Sequence, residues 1–180
     1  MEKFYTVDIC GRKEQLPILP LPGDINIAFF NLHGNVELTD FCAKHLAKRI
    51  KKYNPDVLIT AESKGLQLTH CIAHEMGFKF YAVARKSKKL YMQDGLDVEV
   101  KTITTGDVQH LYLSAHDVNL INGKRVAIVD DVISTGAANA ALEQLVAAAG
   151  GNVVCRAFAL AEGDAKDREG VEYLAAIPLM

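Results

Sequence analysis

The stretch Val126–Ala138, VAIVDDVISTGAA, decides the fold of this chain of 180 residues. Its first four residues form an apolar run rich in β-branched side chains, which is typical of a strand buried on both faces of a parallel sheet. Two carboxylates and a small turn with hydroxyl groups follow. Strong helix formers then extend over residues 137–149 and end at two glycines. The sequence therefore predicts the order strand, acids, tight turn, helix.

The turn after this strand is suited to a phosphate group. Backbone N–H groups at a helix N-terminus attract anions, Gly136 lets a ligand approach the backbone, and Ser134 and Thr135 can donate hydrogen bonds. Asp130 and Asp131 would repel a phosphate, but they suit ribose hydroxyls and a hydrated Mg²⁺. A sugar phosphate that spans the turn and the acids is the favoured interpretation. The alternative is a buried strand that ends in a solvated acidic turn.

This stretch resembles the phosphoribosyl pyrophosphate (PRPP) signature of the type I phosphoribosyltransferases, in which an apolar strand leads into two acids and a short Thr-Gly loop. The resemblance implies an α/β fold with a parallel sheet flanked by helices, a small hood and a flexible hairpin lid. It also implies that Asp130 and Asp131 hold the ribose and Mg²⁺, directly or through water, and that the loop holds the 5′-phosphate. Purine members often end this loop with Gly and Thr, whereas this chain has Ala137, Ala138 and Asn139. One side-chain donor is therefore either missing or supplied by Asn139.

Composition narrows the class of protein. With 49% hydrophobic residues the chain is globular, and its length fits one domain over residues 1–180. A net charge of −2, from 22 acidic and 20 basic residues, provides no general attraction for nucleic acid. The four cysteines are far apart, and no apolar run approaches the ~20 residues of a membrane span. We therefore expect reduced thiols, no membrane association and a cytoplasmic location.

Further elements are predicted on both sides of the central stretch. Residues 1–30 contain closely spaced prolines and fit no long regular element, and about residues 1–35 are assigned to the hood. A helix is predicted from an N-cap at Thr39 to about Tyr53. A strand over Val57–Ala61, a helix over about Leu66–Met76 and a strand over Lys79–Ala84 then form a βαβ unit.

The second half of the chain predicts a hairpin and two more strands. Alternating runs at residues 98–103 and 110–113 predict a hairpin about Thr105 and Gly106, within a lid over about residues 86–114. Strands are predicted over residues 153–160 and 171–177, joined by a charged loop over residues 162–169.

A cation follows the strand Val57–Ala61, at the edge where open α/β sheets bind ligands. The loop of Glu62, Ser63, Lys64 and Gly65 resembles the pyrophosphate loop of the family. The resemblance implies that Lys64 acts on the leaving pyrophosphate and that its three neighbours contact the substrate. Adenine-type members usually have Arg at this position, so Lys64 keeps the charge and loses the bidentate geometry.

A second group of cations, Arg85–Lys89, places four positive charges in five residues. A charge run is commonly only a solvated face of the protein. Here it follows a parallel strand and leads into the predicted lid, and it resembles the start of the family's flexible loop. We therefore interpret Arg85, Lys86 and Lys89 as catalytic residues that clamp an anion.

The resemblance covers about residues 20–165 and is closest to the purine branch. It implies a homodimer that uses Mg²⁺ to transfer the 5-phosphoribosyl group of PRPP to a purine base, with release of pyrophosphate and formation of a nucleoside monophosphate. The entry Leu21–Asp24 resembles adenine phosphoribosyltransferases and favours adenine, which gives AMP. Phe29, Phe30 and Asn31 resemble equally the base-binding stretch of bacterial xanthine phosphoribosyltransferases, so xanthine or another 6-oxopurine is the alternative.

A regulator that senses PRPP without catalysis is the remaining alternative. Regulators of this fold add a DNA-binding domain, for which this chain has neither the extra length nor a basic recognition helix. We therefore expect an enzyme that acts on its own.

Overall fold

A parallel sheet with helices on its flanks forms the centre of this computed structural model, which describes residues 3–101 and 108–180. In chain order the strands are β1 (Phe4–Ile9), β2 (Arg12–Leu21), β3 (Ile25–Ala28), β4 (Val57–Ala61), β5 (Ala82–Ala84), β6 (Leu96–Lys101), β7 (Val108–Leu113), β8 (Arg125–Ile133), β9 (Asn152–Glu162) and β10 (Val171–Ile177). The helices are α1 (Val36–Ile50), α2 (Leu66–Met76), α3 (Ala115–Ile121) and α4 (Ala137–Ala148).

The central sheet has five strands in the order β10-β9-β8-β4-β5. All four neighbouring pairs are parallel. The strand β8, which carries the two acids, is the middle strand, with Val126 opposite Val57 of β4 and opposite Val153 of β9. The predicted α/β fold with a parallel sheet flanked by helices is confirmed.

Alternating side chains of the central strands pack into different hydrophobic cores. Leu58 and Val129 pack in one core, together with residues of α1 and α2 such as Leu46. Ile59 and Ile128 pack in another core, which contains residues of α3 and α4. Each of these leucines and isoleucines is fully buried, and burial of such a side chain contributes about 1.5–3 kcal/mol. The prediction that β8 is buried on both faces is confirmed by this packing.

The N-terminal segment is more regular than its prolines predict. The sequence predicted no long regular element in this segment. That prediction is wrong, because β1, β2 and β3 form an antiparallel sheet whose middle strand is ten residues long. The reason lies in the pairing: β1 pairs with residues 12–17 of β2, and β3 pairs with residues 18–21. Each half of β2 therefore has one edge without a partner strand. On that edge the missing N–H groups of Pro17 and Pro20 interrupt no strand pairing. The role of this segment as a hood stays a prediction.

Helix α1 begins earlier than predicted. Its N-cap is Asn35, whose Oδ1 accepts a hydrogen bond of 3.1 Å from Leu38 N. Thr39, the predicted cap, lies in the first turn, and its hydroxyl donates to the carbonyl of Asn35 at 2.7 Å. Both residue types can cap a helix, and the chain uses the first one. The helix ends at Ile50 and a 3₁₀ turn over Lys51–Tyr53 follows, so the predicted end is close.

Other boundaries agree in part. The strands and helix predicted at Val57–Ala61, Leu66–Met76 and Val171–Ile177 have these bounds, whereas β5 is only three residues long. Helix α3 was not predicted, although Ser114 and Asp117 form a reciprocal capping box at its start. Among the described residues, no helix combines the length and apolar character needed to cross a membrane.

The strands β6 and β7 form the predicted hairpin. They pair antiparallel from Leu96 opposite Leu113 to Lys101 opposite Val108. The predicted turn at Thr105 and Gly106 lies outside the described residues. Arg85 joins the hairpin to the end of β5, because its backbone N–H and C=O both bond to Tyr112 at 2.9 Å. The role of residues 86–114 as a mobile lid stays a prediction.

Candidate active site

The two acids lie within strand β8 rather than after it. Asp131 is 5% exposed, and Asp130 is partly buried. Asp130 Oδ1 accepts a hydrogen bond from Asp131 N, and Asp131 Oδ1 accepts one from Val132 N, each at 2.9 Å. One oxygen of each carboxylate is thus fixed by the backbone next to it, which leaves the other oxygen for a ligand.

Lys64 brings three distant segments together. Its Nζ lies 3.4 Å from Asp131 Oδ2, and it lies 5.5 Å from the centroid of the Phe29 ring. Phe29 follows β3, Lys64 lies in the loop between β4 and α2, and Asp131 belongs to β8. An aromatic ring, a cation and an acid that the sequence assigns to base, pyrophosphate and ribose therefore meet at one place.

The Asp130 carboxyl group changes its protonation state with pH near neutrality. Burial, followed by the negative charge of Asp131, raises the pKa of Asp130 from 3.8 to about 7. The positive charge of Lys64 acts in the opposite direction. A cation bound beside Asp130 would favour its charged form for the same reason.

The loop after β8 has the geometry of an anion site. Gly136 adopts a left-handed conformation with φ of 82°, and α4 starts at the next residue. A cavity of about 180 Å³ opens here, and it is lined by six residues predicted to bind substrate, namely Asp130, Ser134, Thr135, Gly136, Ala137 and Ala138. The structure therefore brings Asp130, one of the two predicted ribose contacts, and the predicted phosphate contacts into one cavity, whose lining does not include Asp131.

Asn139 lines the same cavity, but its amide is used elsewhere. Asn139 Nδ2 donates to Glu143 Oε1 at 2.6 Å, and Asn139 Oδ1 is buried without a hydrogen-bond partner among the described residues. The amide is therefore held by Glu143 through its NH₂ group, and its oxygen cannot donate to a phosphate. This arrangement favours a missing donor in the loop over replacement by Asn139.

The loop Glu62–Gly65 lies against the acids. A Cβ atom at Gly65 would lie 2.8 Å from Asp130 Oδ1, so only glycine fits beside this carboxylate. The peptide between Glu62 and Ser63 is cis. Ser63 and Lys64 are exposed at the N-terminus of α2, where a ligand can reach them.

Glu62 faces the basic run. Its carboxylate accepts a hydrogen bond of 2.8 Å from Lys86 N and forms an ion pair with Arg85 Nη1 at 3.1 Å. Burial raises the pKa of Glu62, but the bonds from Lys86 and Arg85 outweigh burial, and the pKa lies below its ordinary value. Glu62 therefore joins the predicted pyrophosphate loop to the predicted lid. Arg85 is paired with it, whereas Lys86 and Lys89 are exposed.

The predicted base contacts differ in exposure. Phe29 is half-buried, whereas Phe30 is 2% exposed and packs in the core that contains α1. Phe29 is thus the ring of this pair that a ligand can reach. Asn31 is exposed, and its Oδ1 accepts a hydrogen bond of 3.0 Å from His33 N.

Comparison with known proteins identifies the family. Residues 31–171 match the phosphoribosyl transferase domain family. The chain belongs to this family. It is 35% identical to the xanthine phosphoribosyltransferase of an Exiguobacterium species over 127 residues. These aligned residues cover 70% of this chain and 64% of that protein. The chain is 28% identical over 148 residues to the adenine phosphoribosyltransferase of Petrotoga mobilis, which is 82% of each chain.

Solved phosphoribosyltransferase structures share the fold. The adenine phosphoribosyltransferase of Rhodothermus marinus superposes with a TM-score of 0.72 at 24% identity, over 90% of this chain and 94% of that chain. The Giardia lamblia enzyme complexed with 9-deazaadenine superposes with a TM-score of 0.73 at 18% identity, over 90% and 93% of the two chains. The fold is therefore that of the phosphoribosyltransferase family.

Arg168 is a contact of the loop after β8 that sequence reasoning missed. It follows the 3₁₀ turn Gly163–Asp167 between β9 and β10, in the segment predicted only as a charged loop. Its Nη2 donates to the carbonyl oxygens of Ser134 and Thr135 at 2.9 and 2.8 Å. A single sequence holds no signal for this contact, because it depends on how the two segments pack.

The acids fit Mg²⁺ as part of a shared site. Among the described residues there is no group of three or more His, Cys, Asp or Glu side chains that could hold a metal ion. Mg²⁺ is commonly bound by one or two carboxylates together with substrate phosphates and water. Asp131 Oδ2 is buried without a hydrogen bond from the described residues and lies 3.4 Å from Lys64 Nζ, so an ion bound there would share this oxygen with the lysine. The residues present therefore fit Mg²⁺ that arrives with a phosphate-bearing substrate.

Proposed function

We propose that this protein is a purine phosphoribosyltransferase that converts PRPP and adenine to AMP and pyrophosphate. The observation that carries the proposal is the meeting of Phe29, Lys64 and Asp131, which come from three distant segments, beside the cavity of the phosphate loop. Family membership over residues 31–171 supports the same reaction. A nitrogen of the base attacks C1 of the ribose, the bond from C1 to pyrophosphate breaks, and the base loses a proton.

PRPP would lie across the carboxyl end of β8. The loop after β8 holds the 5′-phosphate with backbone N–H groups and the hydroxyls of Ser134 and Thr135. The carboxylates of Asp130 and Asp131 accept hydrogen bonds from the ribose hydroxyls. The left-handed Gly136, which is the N-cap of α4, supports the phosphate part of this arrangement, and the close approach of Gly65 to Asp130 places the loop after β4 beside the ribose part.

The leaving pyrophosphate would lie beside Lys64. Lys64 already contacts an acid of the ribose site, and it stands at the N-terminus of α2, where backbone N–H groups attract anions. When bound, Mg²⁺ supplies positive charge to the pyrophosphate that leaves. Asp130 and Asp131 hold this ion, directly or through water. Lys86 and Lys89 are exposed cations at the start of the proposed lid, and they complete the anion clamp together with Arg85.

The base would stack on Phe29. Adenine is favoured because the alignment with an adenine phosphoribosyltransferase covers 82% of both chains. Xanthine is the second candidate, because the xanthine relative has the higher identity of 35%. Asn31 also favours it, because its Oδ1 already accepts a hydrogen bond from His33 N, which leaves its NH₂ group to donate to acceptors such as the carbonyl oxygens of xanthine. The chain spans 64% of the length of that relative.

A pyrophosphate-release assay with PRPP and Mg²⁺ tests the proposal. Adenine, hypoxanthine, guanine and xanthine are compared, and adenine is expected to give the highest kcat/KM. The double variant Asp130→Asn, Asp131→Asn is the control and should lose PRPP binding while it remains folded. If xanthine exceeds adenine by about tenfold or more, which is about 1.4 kcal/mol of transition-state discrimination, the second candidate replaces the first. If PRPP binds and no base reacts, a PRPP-sensing regulator replaces the enzyme.

A homodimer in the cytoplasm completes the proposal. The four cysteines are free thiols, which supports a reducing compartment. Light scattering after size exclusion tests the dimer, and a monomer at micromolar concentration would contradict it.

A further inference from the structure

We infer that Arg168 is a positioning residue for the 5′-phosphate of the substrate, acting through the backbone of the loop after β8. The inference rests on the proposed function for the identity of the ligand. It goes beyond that function because Arg168 lies outside the motif that identifies the ribose and phosphate sites.

The contact is specific to the turn of the loop. Arg168 Nη2 bonds to the carbonyls of Ser134 and Thr135 at 2.9 and 2.8 Å, which are the two peptide oxygens before Gly136. The guanidinium also lies against Gly136 itself, since a Cβ atom there would be 3.1 Å from Arg168 Cζ. One side chain thus covers three consecutive residues of the loop.

The direction of these peptides explains the effect. The carbonyl of Ser134 shares a peptide with the N–H of Thr135, and the carbonyl of Thr135 shares one with the N–H of Gly136. In a trans peptide the two groups point in opposite directions, and among the described residues only the Glu62–Ser63 peptide is cis. Because Arg168 binds the carbonyls, the two N–H groups point to the other side of the loop, away from the guanidinium.

Charge adds to this geometry. A guanidinium bonded to a carbonyl polarises the peptide and makes its N–H group a stronger donor. The positive charge also lies beside the N-terminus of α4, where an anion is already favoured. Hydrogen bonds that involve a charged group are about twice as strong as neutral ones. Arg168 therefore fixes the loop in the form that receives a phosphate and strengthens its donors.

Binding of two small ligands separates this role from a merely structural one. Ribose 5-phosphate carries the 5′-phosphate, and pyrophosphate occupies the other part of the proposed site. For Arg168→Ala we expect affinity for ribose 5-phosphate to fall by about 10- to 100-fold, as for the loss of a charge-assisted hydrogen bond, with pyrophosphate affinity unchanged. Arg168→Lys should recover part of the loss, because it restores the charge and one donor. Lys166→Ala, an exposed cation of the same segment, is the matched control and should bind both ligands like the wild type.

Steady-state kinetics supply a second readout. Arg168→Ala should raise KM for PRPP more than it lowers kcat, because the 5′-phosphate is held in the ground state and the transition state alike. Equal affinity of the wild type and Arg168→Ala for ribose 5-phosphate overturns the inference, and so does an equal loss for both ligands. A wild-type protein that binds no ribose 5-phosphate also overturns it. If the wild type binds ribose 5-phosphate but transfers no phosphoribosyl group to any base, only the proposed function fails, since the binding experiment needs no turnover.

Discussion

Lys64 Nζ lies 3.4 Å from Asp131 Oδ2, so a cation of the loop after β4 faces an acid of the neighbouring strand β8. The lysine side chain is 49% exposed and the aspartate side chain is 8% exposed. The pair therefore stands at the border between the core and the site. Because the Lys64 ammonium is already partly solvated, it can turn towards a ligand anion without leaving a buried position.

Removal of the Lys64 charge should slow the chemical step. In the proposed reaction pyrophosphate gains charge as its bond to C1 breaks, so Lys64 should interact more strongly with the transition state than with the ground state. Lys64→Ala should lower kcat by about 10²-fold and weaken product inhibition by pyrophosphate. Lys44→Ala is the control, because Lys44 pairs with Asp40 on the surface of α1 at 2.8 Å. If kcat and inhibition stay unchanged while only KM for the base rises, Lys64 belongs to the base site instead.

The stability of the ligand-free protein should depend on Asp130. Its pKa is about 7 in the folded protein and about 3.8 when unfolded. The folded state therefore holds the proton more tightly, and this group's contribution to stability is present below about pH 4 and is lost as pH rises through about 7. Asp130→Asn should remove this loss. Thermal unfolding at pH 5 and pH 8 checks it: the variant should gain more in Tm over the wild type at pH 8 than at pH 5. An equal shift at both pH values would show that Asp130 does not titrate in this range.

The Glu62–Arg85 pair should couple the loop Glu62–Gly65 to the hairpin of β6 and β7, since Arg85 also bonds to Tyr112 through its backbone. The two side chains are 20% and 36% exposed, so the pair is partly screened, and a coupling free energy of about 0.5–1 kcal/mol is expected. A double-mutant cycle with Glu62→Gln and Arg85→Gln, measured by urea unfolding, gives this value. Strict additivity of the two changes would mean that the pair contributes nothing. Glu62 would then be available to the substrate, as the sequence alone predicts.

Sequence patterns predicted the elements that depend mainly on residues adjacent along the chain. The apolar run before Asp130 and the helix formers after Gly136 are sufficient for β8 and α4, and the cavity gathers the acid and loop residues named from the sequence. The same reasoning failed for β2, because the open edges that tolerate Pro17 arise from pairing with two short strands. It also missed Arg168, whose contacts with the loop at residues 134–136 depend on tertiary packing.

Gly136 should be more costly to replace than a glycine with the same backbone conformation in open space. Gly136 has φ of 82° and Gly77 has φ of 75°, but a Cβ atom at Gly136 would meet the Arg168 guanidinium, whereas nothing lies within 4 Å at Gly77. Alanine in this left-handed region costs about 1–2 kcal/mol. Gly77→Ala should therefore lose about that much free energy of unfolding, and Gly136→Ala should lose more, because the guanidinium gives up its bonds to Ser134 and Thr135 when it moves aside.

Removal of Arg168 should separate the two costs at Gly136. In Arg168→Ala, the further change Gly136→Ala keeps the backbone cost but has no guanidinium to displace. Its additional loss of unfolding free energy should then equal that of Gly77→Ala, about 1–2 kcal/mol. Urea unfolding of the two single variants and the double variant gives these differences. If Gly136→Ala costs the same with and without Arg168, the guanidinium is not packed against the loop in solution, and the contacts with Ser134 and Thr135 do not fix its shape.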